Sequence, residues 1–359
     1  MARFRSGQAG ILRWRIELPL GLGYNHGPAG WRRWLADRQT VKGVIFMQKQ
    51  TSGSRDMTRD FNRRQFITAL AGAGVLAVGG RSLSGAQANQ PAGASPATEI
   101  VTLGRTGIKA TRLAQGTGWN GGGRSSAHTR LGEKAFNELI RHDVERGIAF
   151  FDCADLYGSH PYLRTALAGV PREKYILLSK IWPRVEYWNS ASGGAKVEVD
   201  RFHRELRSEV IDICLIHCMT NDKWPEEYKR IRDEMSELKG KGAVRAIGVS
   251  CHDLGALKVA CMHPWTDVVL ARINNGGKDA AMDASVEEVT PVLKQARAGG
   301  KVILGMKIFG AGKLTRPEQK DASLKFVWEN GLVDAVTIGM LSPEEVDDTI
   351  ERMNRVLKA

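Results

Sequence analysis

From residue 100 onward, short apolar runs alternate regularly with amphipathic stretches, and this alternation constrains the fold more than any other feature. Eight apolar runs occupy residues 112–118, 148–153, 175–180, 211–217, 244–250, 267–273, 301–306 and 334–339. Helical patterns stand between them, for example at residues 133–146, 225–241, 286–298 and 343–358. Strands that alternate with helices form parallel βαβ units, and eight units in about 260 residues favour a closed barrel over an open sheet. The sequence therefore predicts an α/β fold, a (β/α)8 TIM barrel.

Local patterns at the two ends of this region agree with a barrel. Residues 99–113 predict a β-hairpin before the first barrel strand, with its turn at Gly104–Gly107. The last helix begins with Ser342 as N-cap and Pro343 at its first position, both typical of a helix start. No Gly-x-Gly-x-x-Gly segment follows a strand and opens a helix, which counts against a Rossmann domain.

The positive charge of the chain is concentrated in its first quarter. The 359 residues carry a formal net charge of +13, a balance that by itself suggests a nucleic-acid or membrane partner. Residues 1–88 hold 14 Lys plus Arg against 4 Asp plus Glu, whereas residues 89–359 hold 38 against 35. The barrel region is therefore close to neutral, and no nucleic-acid partner is predicted for it.

Residues 57–88 have the layout of an export signal. The pair Arg63-Arg64 precedes an apolar run rich in Ala, Gly and Val, which ends before Ala86-Gln87-Ala88, a small-x-small cleavage pattern. The paired arginines resemble the twin-arginine signal, so we expect the translocation machinery as a partner and a periplasmic or exported protein. The run of about 14 residues is shorter than the ~20 that span a bilayer, which excludes a stable membrane anchor. The alternative is an uncleaved basic helix on a cytoplasmic protein.

The remaining segments complete the predicted organisation. Met57 is a natural leader start, so residues 1–56 are interpreted as upstream sequence translated from a misplaced start codon. The alternative for that segment is an Arg/Trp-rich arm that binds nucleic acid. Residues 89–99 predict a flexible linker, and residues 100–359 form the barrel. The leader before the barrel is expected to be disordered.

Four ionisable side chains follow consecutive apolar runs. Asp152 and Tyr157 follow the second run, Lys180 ends the third and His217 ends the fourth. Because the carboxyl ends of barrel strands share one rim, these side chains are expected to meet there. An ammonium lowers the pKa of a nearby phenol, a carboxylate holds that ammonium, and an imidazole can donate to a developing alkoxide. The set suits reduction of a carbonyl group, with the hydride supplied by a cofactor.

The motifs around these residues resemble those of the aldo-keto reductases. GIAFFDCADLYG (147–158), LLSKIW (177–182) and DICLIH (212–217) are similar to the family's Asp/Tyr, Lys and His motifs, and the resemblance covers residues 100–359. It implies a barrel that uses NADPH or NADH without a metal on a small carbonyl or alcohol substrate. By motif position, Asp152 rather than Asp155 belongs to the catalytic set. Tyr157 would be the general acid in reduction and the general base in oxidation.

The resemblance also implies a set of cofactor contacts. IGVSCHD (247–253) resembles a segment whose Ser and Asn bind the nicotinamide amide, with Cys251 in place of Asn. VVLARINN (268–275) lacks the family's Gln, and KIFGAGKL (307–314) resembles the loop that covers the pyrophosphate. The expected cofactor contacts are Gly116, Thr117, Ser250, Cys251, Arg272, Asn274, Lys307, Phe309, Gly310, Gly312, Leu314, Gly339, Met340, Glu345, Asp348 and Thr349.

The segment after the last strand bears on cofactor choice. In the family it often carries Lys, Ser and Arg that bind the 2′-phosphate of NADPH. The alignment places Gly339 and Met340 at the first two of these positions and Glu345 at the Arg position. A carboxylate repels a phosphate but accepts hydrogen bonds from ribose hydroxyls. We therefore expect NADH to be favoured over NADPH.

Other features leave alternatives open. Trp119 and Trp182 are expected to line the substrate site of a monomer or small homo-oligomer. Cys214 and Cys218 fall on one face of a strand, but no second thiol-rich segment accompanies them, so the cysteines are interpreted as buried small hydrophobes and no metal is predicted. A different function on the same barrel is a non-catalytic nucleotide-sensing subunit, as in the potassium-channel β subunits that resemble this family.

Overall fold

A computed structural model gives the structure of the chain and describes residues 95–184 and 192–358. The chain divides into two units, Met1–Ser82 and Leu83–Ala359, and every described residue belongs to the second. The predicted upstream extension, the predicted leader and residues 89–94 of the predicted linker lie outside the described residues.

Within the described residues, ten strands build a hairpin and a closed barrel. The hairpin strands are β1 (Ile100–Thr102) and β2 (Lys109–Thr111). The barrel strands are β3 (Leu113–Gly116), β4 (Phe150–Asp152), β5 (Ile176–Ile181), β6 (Ile211–Met219), β7 (Val244–Cys251), β8 (Val268–Arg272), β9 (Val302–Met306) and β10 (Ala335–Ile338). All barrel pairs are parallel, and β10 pairs with both β3 and β9, which closes the ring. The predicted (β/α)8 TIM barrel is confirmed.

The helices cover the outside of the barrel and return the chain to the start of each next strand. They are α1 (Glu133–Glu145), α2 (His160–Ala166), α3 (Ala195–Leu206), α4 (Trp224–Glu227), α5 (Lys229–Gly240), α6 (Leu254–Met262), α7 (Val286–Ala298), α8 (Pro317–Glu329) and α9 (Pro343–Lys358). The single helix predicted at 225–241 is divided at Tyr228, whose φ of −109° and ψ of 26° lie outside the helical region. Among the described residues, no helix combines the length and the apolar character that crossing a bilayer requires.

The predicted hairpin is confirmed and closes one end of the barrel. β1 and β2 pair antiparallel, with Ile100 opposite Thr111. Leu103, Ile108 and Ala110 of the hairpin are buried together with inward-facing residues of the barrel strands. This apolar plug seals the end at which the strands begin, so the opposite end is the one left open to a ligand.

The two-residue period of the strands separates an inner core from an outer core. Along β6, Ile213 and Leu215 belong to the inner core, whereas Cys214 and Ile216 pack in the layer between barrel and helices. Because side chains alternate along a strand, the residue that follows Leu215 by two positions, His217, faces the barrel axis. On β5, Lys180 follows the inward-facing Leu178 by two positions, so it also faces the barrel axis. The two-residue period therefore determines which residues at the strand ends can reach a central pocket.

The packed part of the chain begins slightly before the boundary at residue 100. Pro96–Thr98 form a short 3-10 turn against α9, where the Ala97 amide donates to Asn354 Oδ1 over 2.9 Å. Ala97 is fully buried, so this end of the segment predicted as a linker is anchored to the last helix.

Candidate functional site

Asp152, Tyr157, Lys180 and His217 meet at the open end of the barrel. The Tyr157 hydroxyl lies 3.3 Å from His217 Nε2 and 3.4 Å from Lys180 Nζ. Lys180 Nζ is ion-paired with Asp152 Oδ1 and also donates to the Cys153 carbonyl over 3.0 Å. Lys180 is 1% exposed, so the ion pair is shielded from water. The phenol oxygen is therefore contacted by an ammonium on one side and an imidazole on the other.

Local structure fixes the position of the Tyr157 ring. The residue ends a 3-10 turn, Asp155–Tyr157, that follows β4, and Gly158 then adopts a left-handed φ of +66°. A Cβ at Gly118 would lie 2.2 Å from Cζ of the Tyr157 ring, and one at Gly121 would lie 2.7 Å from its Cδ1. These two glycines leave the space in which the ring lies, which holds its hydroxyl against Lys180.

Burial sets the protonation states of the site. It raises the pKa of Tyr157 above the usual 10.0, and the opposing effect of the Lys180 charge is smaller. The Lys180 ammonium does lower this pKa, as the sequence predicts, but burial outweighs it. Burial also lowers the pKa of His217 well below 6.5, and the charge of Lys180 adds to the shift. For Lys180, burial alone would lower the pKa, but Asp152 and Tyr157 outweigh it and raise it. Near neutral pH the phenol is protonated, the ammonium charged and the imidazole neutral.

These four residues form the floor of an elongated pocket of about 310 Å³. The pocket extends from the tetrad to the first turn of α9. Most of the residues that the sequence predicts as ligand contacts line it, namely Gly116, Trp119, Ser250, Lys307, Phe309, Gly312, Leu314, Gly339, Met340, Glu345, Asp348 and Thr349. The structure thus brings together predicted contacts from the ends of four barrel strands, β3, β7, β9 and β10.

Three predicted cofactor contacts, Cys251, Thr117 and Gly310, do not line the pocket. Cys251 is fully buried in the outer core, because it follows the inward-facing Ser250 by one position on β7. Thr117 Oγ1 donates to the Asp152 carbonyl over 2.9 Å and lies 2.8 Å from Ser159 Oγ, behind the pocket wall. Gly310 is buried, with the Ala280 Cβ 3.0 Å from the position of its own missing Cβ. These residues shape the walls and do not line the pocket.

Arg272, Asn274 and Trp182 also act behind the pocket surface. Arg272 forms an ion pair with Asp283 over 3.3 Å and donates to His252 Nδ1. Asn274 is fully buried and donates to the carbonyls of Ala280 and Lys307. Trp182 is 5% exposed and packs edge-on against the His217 ring, with ring centroids 5.3 Å apart. Trp182 therefore supports His217 from the side away from the pocket.

The pocket also contains residues that the sequence analysis missed. Leu270, Met306 and His252 line it, and Lys320 of α8 does so near α9. Continuing the two-residue period from Val268 or Leu304 would have identified Leu270 and Met306, and one further step from Ser250 would have identified His252. Lys320 carries no such signal, because it comes from the buried side of a helix that packs on the neighbouring loop.

One cysteine differs from the expectation that all five are buried. Cys218 is half-buried, whereas the other four cysteines are buried. The pairing of β6 with β7 shifts register between Ile216 and Met219, and Cys218 has a left-handed φ of +67°. Its Sγ lies 3.1 Å from His252 Nδ1, so Cys218 no longer shares a face with Cys214. Within residues 95–184 and 192–358, no three His, Cys, Asp or Glu side chains are grouped as a metal site.

The pocket has the features that a nicotinamide dinucleotide requires. Gly116 and Gly339 form thin walls, since a Cβ at Gly116 would lie 2.9 Å from Thr337 Oγ1 and one at Gly339 would lie 3.2 Å from His128 Cε1. The same cavity is lined by the tetrad and by Glu345, Asp348 and Thr349 of α9, so a ligand that contacts both must be long.

Comparison with known proteins agrees with this geometry. The model of the aldo/keto reductase family matches residues 112–358. A 6-dehydroglucose reductase from Novosphingobium aromaticivorans is 31% identical over 226 residues, 56% of this chain and 69% of the relative. An aldo-keto reductase from Mycobacterium avium is 28% identical over 127 residues, 34% of this chain, and the chain spans only 41% of the length of that relative.

Solved structures share the fold. A Pseudomonas aeruginosa protein described as an aldo-keto reductase superposes with a TM-score of 0.60 at 22% identity, covering 73% of this chain and 98% of its own. An aldo-keto reductase from Klebsiella pneumoniae in complex with NADPH superposes with a TM-score of 0.53 at 17% identity, covering 71% and 89%. Because the family model spans the whole barrel from β3 to α9, the chain belongs to the aldo/keto reductase family.

Proposed function

We propose that the chain is an NAD(P)H-dependent oxidoreductase that reduces aldehydes or ketones to alcohols, or catalyses the reverse reaction. The observation that carries the proposal is the Tyr157 hydroxyl held between Lys180 Nζ and His217 Nε2 on the floor of the elongated pocket. Curated relatives named as reductases support it, among them an NADH-specific methylglyoxal reductase from Escherichia coli that is 24% identical over 189 residues, 48% of this chain and 58% of the relative.

Each tetrad residue has a separate role at the carbonyl oxygen. A bound nicotinamide would supply or accept the hydride. In reduction, Tyr157 donates its hydroxyl proton to the carbonyl oxygen, and the charged Lys180 stabilises the phenolate that remains. Asp152 keeps that ammonium in place through the ion pair. The neutral His217 ring can donate from Nε2 to the substrate oxygen, because Nε2 is the ring nitrogen that lies 3.3 Å from the Tyr157 hydroxyl.

Nucleotide oxidation tests the proposal. Loss of reduced-nucleotide absorbance is followed with a panel of aldehydes and ketones for the wild type and Tyr157→Phe. We expect turnover in the wild type and nucleotide binding in both proteins. If the wild type binds nucleotide but turns over no carbonyl in either direction, the nucleotide-sensing alternative replaces this proposal.

We also propose that NADH is preferred to NADPH. Glu345 and Asp348 both line the α9 end of the pocket, and the Glu345 carboxylate accepts from the Leu341 amide over 2.8 Å. A 2′-phosphate there would lie beside two carboxylates. Lys320 opposes this effect, but its Nζ is 3.9 Å from Asp348 Oδ2 and is partly neutralised.

Dissociation constants for both nucleotides test the preference. We expect tighter binding of NADH, and we expect Glu345→Gln to improve NADPH binding more than NADH binding. Tighter binding of NADPH by the wild type would show that Lys320 dominates the α9 end.

We propose further that residues 57–88 direct export of the folded protein. The support is the sequence order of Arg63-Arg64, the apolar run and Ala86-Gln87-Ala88. Expressed as the full chain in a bacterium with the twin-arginine pathway, the wild type should reach the periplasm with a new N-terminus at residue 89. The double variant Arg63→Lys/Arg64→Lys should remain in the cytoplasm, and cytoplasmic retention of the wild type would overturn the proposal.

A further inference from the structure

Lys307 is a pocket-lining cation without a counter-ion. It lies just after β9 and is half-buried. Lys180 is ion-paired with Asp152, and Arg272 with Asp283. In the part of the chain that the structure describes, the Lys307 ammonium has neither an ion pair nor a hydrogen bond. Lys307 is thus a pocket-lining cation that no described carboxylate pairs with directly.

The backbone at Lys307 is held in a conformation that disfavours a side chain. Its φ is +60°, in the left-handed region, where the Cβ of an L-residue comes too close to the following carbonyl oxygen. Asn274 Nδ2 donates to the Lys307 carbonyl over 3.0 Å and to the Ala280 carbonyl over 2.8 Å, and so fixes this turn. Glycine would adopt the turn without strain. The two hydrogen bonds from Asn274 therefore hold Lys307 in this turn despite the cost.

His252 supplies a second donor to the same pocket. Its Nδ1 receives a hydrogen bond from Arg272, and a guanidinium can only donate, so the ring proton is on Nε2. Burial and the charge of Arg272 lower the pKa of His252 to about 3, which keeps the ring neutral. His252 lines the pocket, and Nε2 has no hydrogen-bond partner within residues 95–184 and 192–358. Its Nε2–H group is thus available to a ligand.

The surroundings favour an anion between these two donors. Burial, then Arg272 and then Lys180, lower the pKa of Lys307, so the ammonium lacks compensation for the water it has lost. Arg184, which donates to the Cys218 carbonyl over 3.1 Å, contributes to lowering the pKa of His252. A carboxylate would accept from both Lys307 and His252 and would pair with the Lys307 ammonium.

We propose that Lys307 and His252 bind the carboxylate of an oxo acid whose carbonyl group faces Tyr157. The inference rests on the proposed function and narrows its substrates to carbonyl compounds that carry a carboxylate a few bonds from the reacting carbon. The diphosphate of the cofactor is a second source of anionic oxygens for Lys307, and the experiment separates the two.

Matched acid and ester substrates test the proposal. Phenylglyoxylate and its methyl ester share the reacting ketone and differ in one negative charge. We expect the wild type to prefer the acid in kcat/KM, and Lys307→Met to lower the acid-to-ester ratio by about 10- to 100-fold, the loss typical of a charge-assisted hydrogen bond. Lys307→Arg should restore part of the ratio, and His252→Phe should lower it by a smaller factor.

Control measurements distinguish the substrate carboxylate from the cofactor diphosphate as the anion that Lys307 binds. Lys134→Met removes an exposed ammonium on α1 and should leave the ratio unchanged. Nucleotide dissociation constants are measured for each variant. If Lys307→Met weakens nucleotide binding tenfold and leaves the acid-to-ester ratio unchanged, Lys307 binds the diphosphate and the proposal is overturned. A wild type that prefers the ester overturns it as well.

Calorimetry keeps the proposal testable if no carbonyl is turned over. Phenylglyoxylate is titrated into the complex of the protein with oxidised nucleotide, which cannot reduce it. Binding to the wild type that is lost in Lys307→Met supports the carboxylate site even where the proposed reduction fails. Equal binding to both proteins, or binding to neither, overturns it.

Discussion

The two ends of the barrel interior are built on the same strands and differ in almost every chemical respect. At the closed end, Leu103 and Ile108 of the hairpin pack against inward-facing aliphatic residues. At the open end, the next inward positions carry Lys180 and His217. On β5 the change from apolar to charged takes two residues, from Leu178 to Lys180. Depth along a strand, and not the choice of strand, therefore decides whether a residue stabilises the fold or serves the site.

The two ends also differ in how they contribute to stability. Burial of an apolar side chain at the closed end stabilises the fold by roughly 25 cal/mol per Å² removed from water. The buried Lys180–Asp152 pair loses hydration that its attraction must first offset, so it adds little net stability for the area it buries. The open end is thus organised for chemistry at some cost in stability. Substitutions at the open end should therefore mainly change the catalytic rate, and those at the closed end should mainly change the free energy of unfolding.

The largest expected effect is on the rate of Tyr157→Phe. Loss of the proton donor should lower kcat/KM for carbonyl reduction by about 10²- to 10⁴-fold, while the ring still fills the space beside Gly118. Tyr162→Phe is a matched control, because it removes a hydroxyl from a ring that packs on Phe136 outside the pocket. Steady-state kinetics and thermal unfolding measure both effects. A Tyr157→Phe variant within threefold of wild type would remove Tyr157 from the reaction.

Lys180→Met should damage both properties. It leaves Asp152 buried without its counter-charge, which should lower the free energy of unfolding by about 3–5 kcal/mol and abolish measurable turnover. The double variant Asp152→Asn/Lys180→Met removes the orphaned charge, so it should regain stability without regaining activity. Urea unfolding and kinetics check the two predictions. Recovery of activity in the double variant would contradict a role for the ammonium.

Leu103→Ala tests the closed end. The side chain is fully buried in the plug, and its truncation should lower the free energy of unfolding by about 2–5 kcal/mol. The tetrad lies at the other end of the barrel, so kcat/KM below the unfolding transition should stay within about twofold of wild type. Urea unfolding measures the first quantity. A large loss of rate in fully folded protein would show that the two ends are coupled.

The fold was predictable because burial and strand period leave a direct trace in the sequence. Every barrel strand lies within two residues of its predicted apolar run. Helices α7 and α9 have the predicted bounds, because Ser285 and Ser342 mark their starts with side-chain caps. The break at Tyr228 left no such trace, since the apolar period continues across it.

The site was only partly predictable. The tetrad follows from strand ends, but its net electrostatics depend on burial, which the residue types do not reveal. The sequence predicts Cys251 as a cofactor contact, but Cys251 is buried in the outer core and His252 lines the pocket. The two-residue period of β7, continued from Ser250, distinguishes the two residues. The pairing of Arg272 with Asp283 and the left-handed turn at Lys307 depend on loop geometry. A lysine in the sequence does not indicate a positive φ. That Lys307 has no counter-ion among the described residues likewise becomes apparent only from the structure.

The smallest expected effect is that of pH on the open end. The pKa of His217 lies well below 6.5 and that of Tyr157 lies above 10.0, so neither group titrates near neutrality. We expect kcat/KM for reduction to vary less than about twofold between about pH 6 and 8. Stability, unlike the rate, should depend on pH. Below pH 6.5 the unfolded chain takes up a proton that native His217 does not, so the free energy of unfolding falls as pH decreases. Rate profiles and urea unfolding at pH 7 and pH 5, chosen on either side of the ordinary histidine pKa of about 6.5, measure the two responses. A rate limb with a midpoint near that value would mean that His217 is hydrated in solution, and the open end would then lack the dry electrostatics that set it apart from the closed end.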